Sequence, residues 1–224
     1  MTKSTACRTL VSLVAAGTFL TLSSAPSAQH MTRSKEELKL MRAPGVDQPF
    51  NLADVDFMQG MIPHHAQAVK MAKWANQGEH KGLRILCERI VVGQGDEIKL
   101  MQQWLSDRGQ EVPPADSMRH KMKMGDMVHE MLMPGMLTDE EMAALQKARG
   151  KEWDRLFLIG MIKHHQGAID MVEVLQKSHG SMQGDDIFKF AADVYADQTT
   201  EIAVMKQMLE AINKEAGASD PARQ

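Results

Sequence analysis

Two cysteines among 224 residues are too few for a disulfide framework, and one of them, Cys7, lies ahead of the first apolar run. If that N-terminal stretch is removed, Cys87 is the sole thiol, and internal cross-linking is excluded. Basic excess is also missing, with 26 Lys and Arg against 29 Asp and Glu, so a nucleic-acid partner is not expected. The longest uncharged apolar stretch, Leu10 to Leu22, is too short for a permanent membrane span. Aromatic residues are scarce, with six Phe, three Trp and one Tyr. In their place stand twenty methionines and nine histidines, so the chain favours thioether and imidazole over aromatic rings.

Lys3 and Arg8 before that apolar run, and Ser23, Ala25, Ser27 and Ala28 after it, have the organisation of a secretory signal. The sequence therefore divides into a signal peptide over 1–28, an N-terminal linker over 29–50, a helical domain over 51–216 and a tail over 217–224. The expected location is the periplasm or another exported compartment.

The domain contains an internal duplication. DVDFMQGMIPHHAQAVKM, residues 54–71, aligns with DRLFLIGMIKHHQGAIDM, residues 154–171, at nine identical positions of eighteen. QGDEIKLMQQWL from Gln94 aligns with QTTEIAVMKQML from Gln198. Apolar residues recur at three- and four-residue steps, as in Leu83, Cys87, Ile90, Ile98, Met101 and Leu105, which predicts helices. They fall near 52–77, 83–108, 139–178 with a break at Gly150, and 185–215. Asn51 with Asp54, and Thr138 with Glu141, read as capping boxes, while Pro63 should bend the first helix and its counterpart Lys163 should not. No convincing strand is expected. The fold class is all-α: a four-helix bundle of two hairpins, 51–108 and 138–216, joined by a long Met-rich crossover over 109–137.

At about 100° per residue, Met61, Met71, Phe57 and Ala68 share an arc with His64, and His65 borders it, so both imidazoles face the core or its edge. Met161, His164, His165 and Met171 repeat the arrangement. Symmetric packing of the hairpins would bring four His and up to four Met together as a soft-metal site. On the partner helices, Gln94 and Glu97 beside Met101, and Gln198 and Glu201 beside Met205, place polar groups on or near apolar stripes, where they must be paired. Hydrogen bonds from the histidines to Glu97 and Glu201 would fix ring orientation. The crossover adds seven methionines in nineteen residues, 118–136. Met118, His120, Met122, Met124, Met127, His129 and Met131 are taken there as a second, more mobile ligand set. Neutral thioether and imidazole suit Cu(I) and Ag(I), with Cu(II) a further candidate at the His pairs. No organic cofactor is expected.

The paired stretches FMQGMIPHHAQAVKMA and FLIGMIKHHQGAIDMV, each followed by Q-x-x-E-I, resemble the bacterial domain-of-unknown-function family 305, whose functionally described members are CopM-like copper-binding proteins. The resemblance covers about residues 51–212. It implies a ferritin-like bundle in the periplasm that binds Cu(I) and Ag(I) and serves copper tolerance, sequestration or trafficking, with a periplasmic copper donor or acceptor protein as partner. The family motif falls on Met61, His64, His65 and Met71, and on Met161, His164, His165 and Met171. Two other readings compete. A ferritin-like di-metal redox protein would need Glu-x-x-His pairs, and the chain has none. A Met-rich interaction module without metal leaves the doubled His-His unexplained. Catalytic turnover is not expected.

Overall fold

The computed structural model describes residues 39–124 and 127–218, and the signal-peptide assignment over 1–28 lies outside them. The described chain is mostly helical: α1 (Leu52–Ala72), a 3-10 turn (Ala75–Gln77), α2 (Lys81–Asp107), β1 (His120–Met124), β2 (Met127–Met131), α3 (Asp139–Lys147), α4 (Gly150–Lys177) and α5 (Asp185–Ala218). Helix α5 thus runs two residues into the stretch assigned as tail, whose remainder, 219–224, is outside the described residues.

Local chemistry sets the helix ends. Asn51 accepts from the Ala53 and Asp54 N–H groups while Asp54 accepts from Asn51 N–H. Thr138 and Glu141 make the same reciprocal cap on α3. Each cap is worth about 1 kcal/mol. The third predicted helix is broken: α3 ends at Lys147, and α4 restarts at Gly150, whose φ of 57° is a conformation that glycine adopts without a Cβ penalty. Helix α1 continues through Pro63.

Helix α1 packs along α2, α4 along α5, and the two antiparallel pairs meet through α1 and α4. Ahead of α1, Met41 and Phe50 form a β-bridge, and the buried Phe50 ring meets Trp104 edge-on at the end of α2. Arg108 lies over Trp104 and donates to Asp186 at 2.6 Å, which ties the end of α2 to the start of α5. Such charge-assisted bonds are stronger than neutral ones.

The apolar interior is divided in two. One cluster joins Phe57, Met61 and Met101 of the first hairpin to Met171, Leu175 and Ile187 of the second. The other joins Met71, Leu83 and Cys87 to Trp153, Met161 and Met205. Each cluster draws on both hairpins. The hairpins are clipped together at their ends as well. Asp54 accepts from Met182 N–H in the loop before α5 at 2.8 Å, and its counterpart Asp154 accepts from His80 N–H in the loop before α2 at 3.0 Å.

The crossover departs from the sequence expectation, because it contains an antiparallel β-hairpin. Residues 120–124 and 127–131 alternate Met or His with Lys, Val or Glu, a period of two that matches a strand and defeats a helix. The Gly-Asp dipeptide between the two runs is a hairpin signal in its own right. After the hairpin, residues 133–137 cross the α1–α4 seam as a strap. Gln67 makes two hydrogen bonds to the Leu137 main chain, at 2.7 and 3.0 Å. Gly135 and Gly167 pack backbone to backbone, so closely that a Cβ on Gly167 would stand 2.0 Å from the Pro134 carbonyl oxygen.

Candidate metal centre

Adjacent residues on a helix point about 100° apart, so each His-His pair serves two directions. His64 on α1 and His164 on α4 turn toward each other across the seam, their ring centroids 3.8 Å apart and their planes tilted by 39°. His65 and His165 turn toward the partner helices. His65 Nε2 lies 2.8 Å from Glu97 Oε2 on α2, and His165 Nε2 lies 2.7 Å from Glu201 Oε2 on α5. All four rings are fully buried and form one polar layer between the two apolar clusters.

The layer is short of hydrogen bonds. His64 Nε2–H donates to the Pro134 carbonyl of the strap at 3.0 Å, which leaves His64 Nδ1 without a partner. His65 Nδ1 and His165 Nδ1 are likewise unpartnered, and His164 has a partner at neither nitrogen. Behind them, Gln94 has both side-chain polar atoms unpaired and Gln198 has its oxygen unpaired. A buried polar atom left in this state costs about 1–3 kcal/mol. A neutral imidazole that donates through Nε2–H carries its lone pair on Nδ1, so His64 Nδ1 is ligand-ready, and a neutral His164 offers one of its two nitrogens. Burial, followed by the neighbouring histidines, holds His64 and His164 well below the usual imidazole range, which keeps both rings neutral.

The sulfurs are placed differently from the sequence expectation of one shared pocket. Met61, Met101 and Met171 sit in one apolar cluster, and Met71, Met161 and Met205 in the other, so thioethers flank the imidazole layer on both sides. The cause is the antiparallel α1–α4 seam. Gly60 lies under the Met171 methyl and Gly160 under the Met71 methyl, which pairs position 61 of one copy with position 71 of the other. Met61 and Met161 are three residues from their rings, about 4.5 Å along the axis, whereas Met71 and Met171 are seven residues from His64 and His164, about 10 Å. Among the described residues, no three His, Cys, Asp or Glu side chains are grouped so as to hold an ion by themselves. Cys87 is buried, its thiol pushed up to about 12 by burial and then by Asp154, so it offers no ready thiolate.

The crossover residues gather around the β-hairpin. Its register pairs His120 with Met131, Met122 with His129, and Met124 with Met127. Alternation therefore assigns His120, Met127, His129 and Met131 to one face of the ribbon, and Lys121, Val128 and Glu130 to the other. His120 is buried at the base, and burial lowers its basicity. Met131 is half-buried, while His129 and Met127 are exposed. Met118 is half-buried just ahead of β1. The residues with no forewarning were Pro134 and Gln67, because a main-chain carbonyl that contacts a histidine leaves no mark in composition or spacing.

Comparison with known proteins agrees with this architecture. The model of the domain of unknown function DUF305 matches residues 54–209. A DUF305 protein of Streptomyces coelicolor superposes with a TM-score of 0.59 at 27% identity, covering 72% of this chain and 94% of its own. A DUF305 fragment from Deinococcus radiodurans gives 0.57 at 25% identity, covering 71% and 96%. CopM in its Cu(I)-bound form gives 0.53 at 29% identity, covering 70% and 96%, and CopM has also been solved in Ag-bound and Cu(II)-bound forms. An uncharacterized protein of Acanthamoeba polyphaga mimivirus is 36% identical over 56 residues, and the chain spans only 37% of that viral protein's length.

Proposed function

The chain belongs to the DUF305 family, and from that premise we propose that it binds Cu(I), and Ag(I) in the same way, to sequester or carry the ion in an exported compartment. The observation that carries this reading is the buried layer of four imidazoles with five unpartnered nitrogens, flanked on both sides by thioethers. Hydrogen-bond networks do not need sulfur on two sides, and apolar cores do not need four buried histidines. Thioether suits a soft monovalent ion, and imidazole suits copper.

In this reading His64, His65, His164 and His165 supply nitrogen, Met61 and Met161 supply the nearer sulfurs, and Met101, Met205, Met71 and Met171 form the outer thioether shell. Glu97 and Glu201 orient His65 and His165, with Gln94 and Gln198 beside them. The helical scaffold is a ferritin-like bundle used for holding an ion, without turnover. The His and Met face of the β-hairpin is a second, more accessible ligand set that receives the ion from a donor or passes it to an acceptor protein. The Cu(I)-bound and Ag-bound forms of CopM support the choice of ion. The signal-like residues 1–28 support the compartment.

Anaerobic Cu(I) titration against a chromophoric competitor tests the proposal. More than one ion should bind per mature chain, and His64→Ala with His164→Ala should remove the tightest site. Replacing Met127 and Met131 by Leu should lower capacity while the helical circular dichroism stays unchanged. Preferential binding of zinc or iron, with no competition for Cu(I), would overturn the reading.

A further inference from the structure

The buried layer has two sides, and they are built differently. On the α1–α4 side the strap closes it, with the Pro134 carbonyl on His64 and Gly135 against Gly167. On the opposite side α2 and α5 leave an open cleft of about 550 Å³. Glu97 and Glu201, which hold His65 and His165, line this cleft, so it reaches the imidazole layer through one hydrogen bond on each side.

Among the described residues, the charged groups that line the cleft are Glu88, Glu97, Asp197 and Glu201 against the single cation Arg89. Crowding among them registers on Asp197, whose carboxyl is held above its usual range by burial first and then by Glu97 and Glu201. Gln94 and Gln198, 4% and 3% exposed, also line the cleft and retain unpaired amide atoms there. Carboxylates and amide oxygens attract a cation but are weak ligands for a soft one. A path lined with them passes such an ion inward instead of retaining it. Charge focused in a cleft raises the local concentration of an incoming counter-ion and its association rate, by tenfold or more in strong cases.

We propose that the cleft between α2 and α5 is the entrance through which a monovalent soft cation reaches the buried histidines, with its carboxylates as the electrostatic guide. This inference rests on the metal-binding reading above.

Stopped-flow uptake of Ag(I), supplied as silver nitrate in chloride-free buffer, tests it on the chain lacking the signal. Two kinds of variant leave the histidines and their partners in place. Glu88→Gln with Asp197→Asn removes guiding charge. Gly93→Phe fills the mouth, since a side chain begun at Gly93 meets nothing within 4 Å. The charge variant should slow association about three- to tenfold at low ionic strength, with the difference closing as salt shortens the Debye length below about 10 Å. The plug should slow association and dissociation together by at least fivefold, with affinity held within twofold. Association rates unchanged in both variants would overturn the entrance and leave the metal centre standing. A wild-type chain that binds no Ag(I) would overturn both.

Discussion

His64 and His164 are the residues on which the pH dependence of stability turns. An unfolded histidine titrates near 6.5, and both of these lie well below that value when folded, chiefly through burial. Below 6.5 the unfolded chain therefore binds more protons than the folded one, and stability falls with pH. Above 6.5 both states are neutral and this dependence vanishes. Each ring contributes a slope of up to about 1.4 kcal/mol per pH unit. Urea unfolding of the metal-free protein between pH 7.5 and pH 5 should show a loss of about 2–4 kcal/mol, and His64→Asn with His164→Asn should flatten that profile. The inward direction of these rings was legible in the sequence, because Phe57 and Ala68 share their arc. Their meeting was expected from symmetric packing of the two hairpins, because helix periodicity alone fixes which way a side chain points and not which helix it meets. Met71 and Met171 illustrate the same limit: both face the core, yet the antiparallel seam carries each to the far copy's cluster instead of its own histidines.

Among the elements, helices α1, α2 and α5 were readable to within a few residues, as were the capping boxes at Asn51 and Thr138 and the interruption at Gly150, because caps and breaks depend on local chemistry. The crossover was misread. Its methionines suggested a mobile arm, whereas the alternation of His120, Met122 and Met124 with Lys121 and Lys123 holds the register of a strand. The strap was illegible for a different reason. Gln67 in the first copy is matched by Gly167 in the second, and this one mismatch makes room for Pro134 and Gly135 on α4 while Gln67 anchors Leu137 from α1. Gly167→Ala should cost about 1–3 kcal/mol, because its Cβ meets backbone that cannot move aside easily. Gly95→Ala, on an open part of α2, should instead stabilise by about 0.5–1 kcal/mol. Thermal melts of the two variants side by side would measure that contrast in sign.

For the whole molecule, the two apolar clusters matter more than the two hairpins. Each cluster takes side chains from both halves of the chain, and Asp54 and Asp154 reach across to the opposite loop. Neither half keeps a core without the other. Calorimetric unfolding should accordingly give one transition, with the calorimetric enthalpy equal to the van't Hoff value. Asp154→Ala should lower stability by about 1–3 kcal/mol through the orphaned loop amides without splitting that transition. Two separate transitions would show that the halves are autonomous. Two similar stretches of one chain need not touch, yet residues 54–71 and 154–171 do so at His64 and His164, whose ring centroids lie 3.8 Å apart. A change at either ring therefore falls on its neighbour as well, so neither stretch can drift there alone.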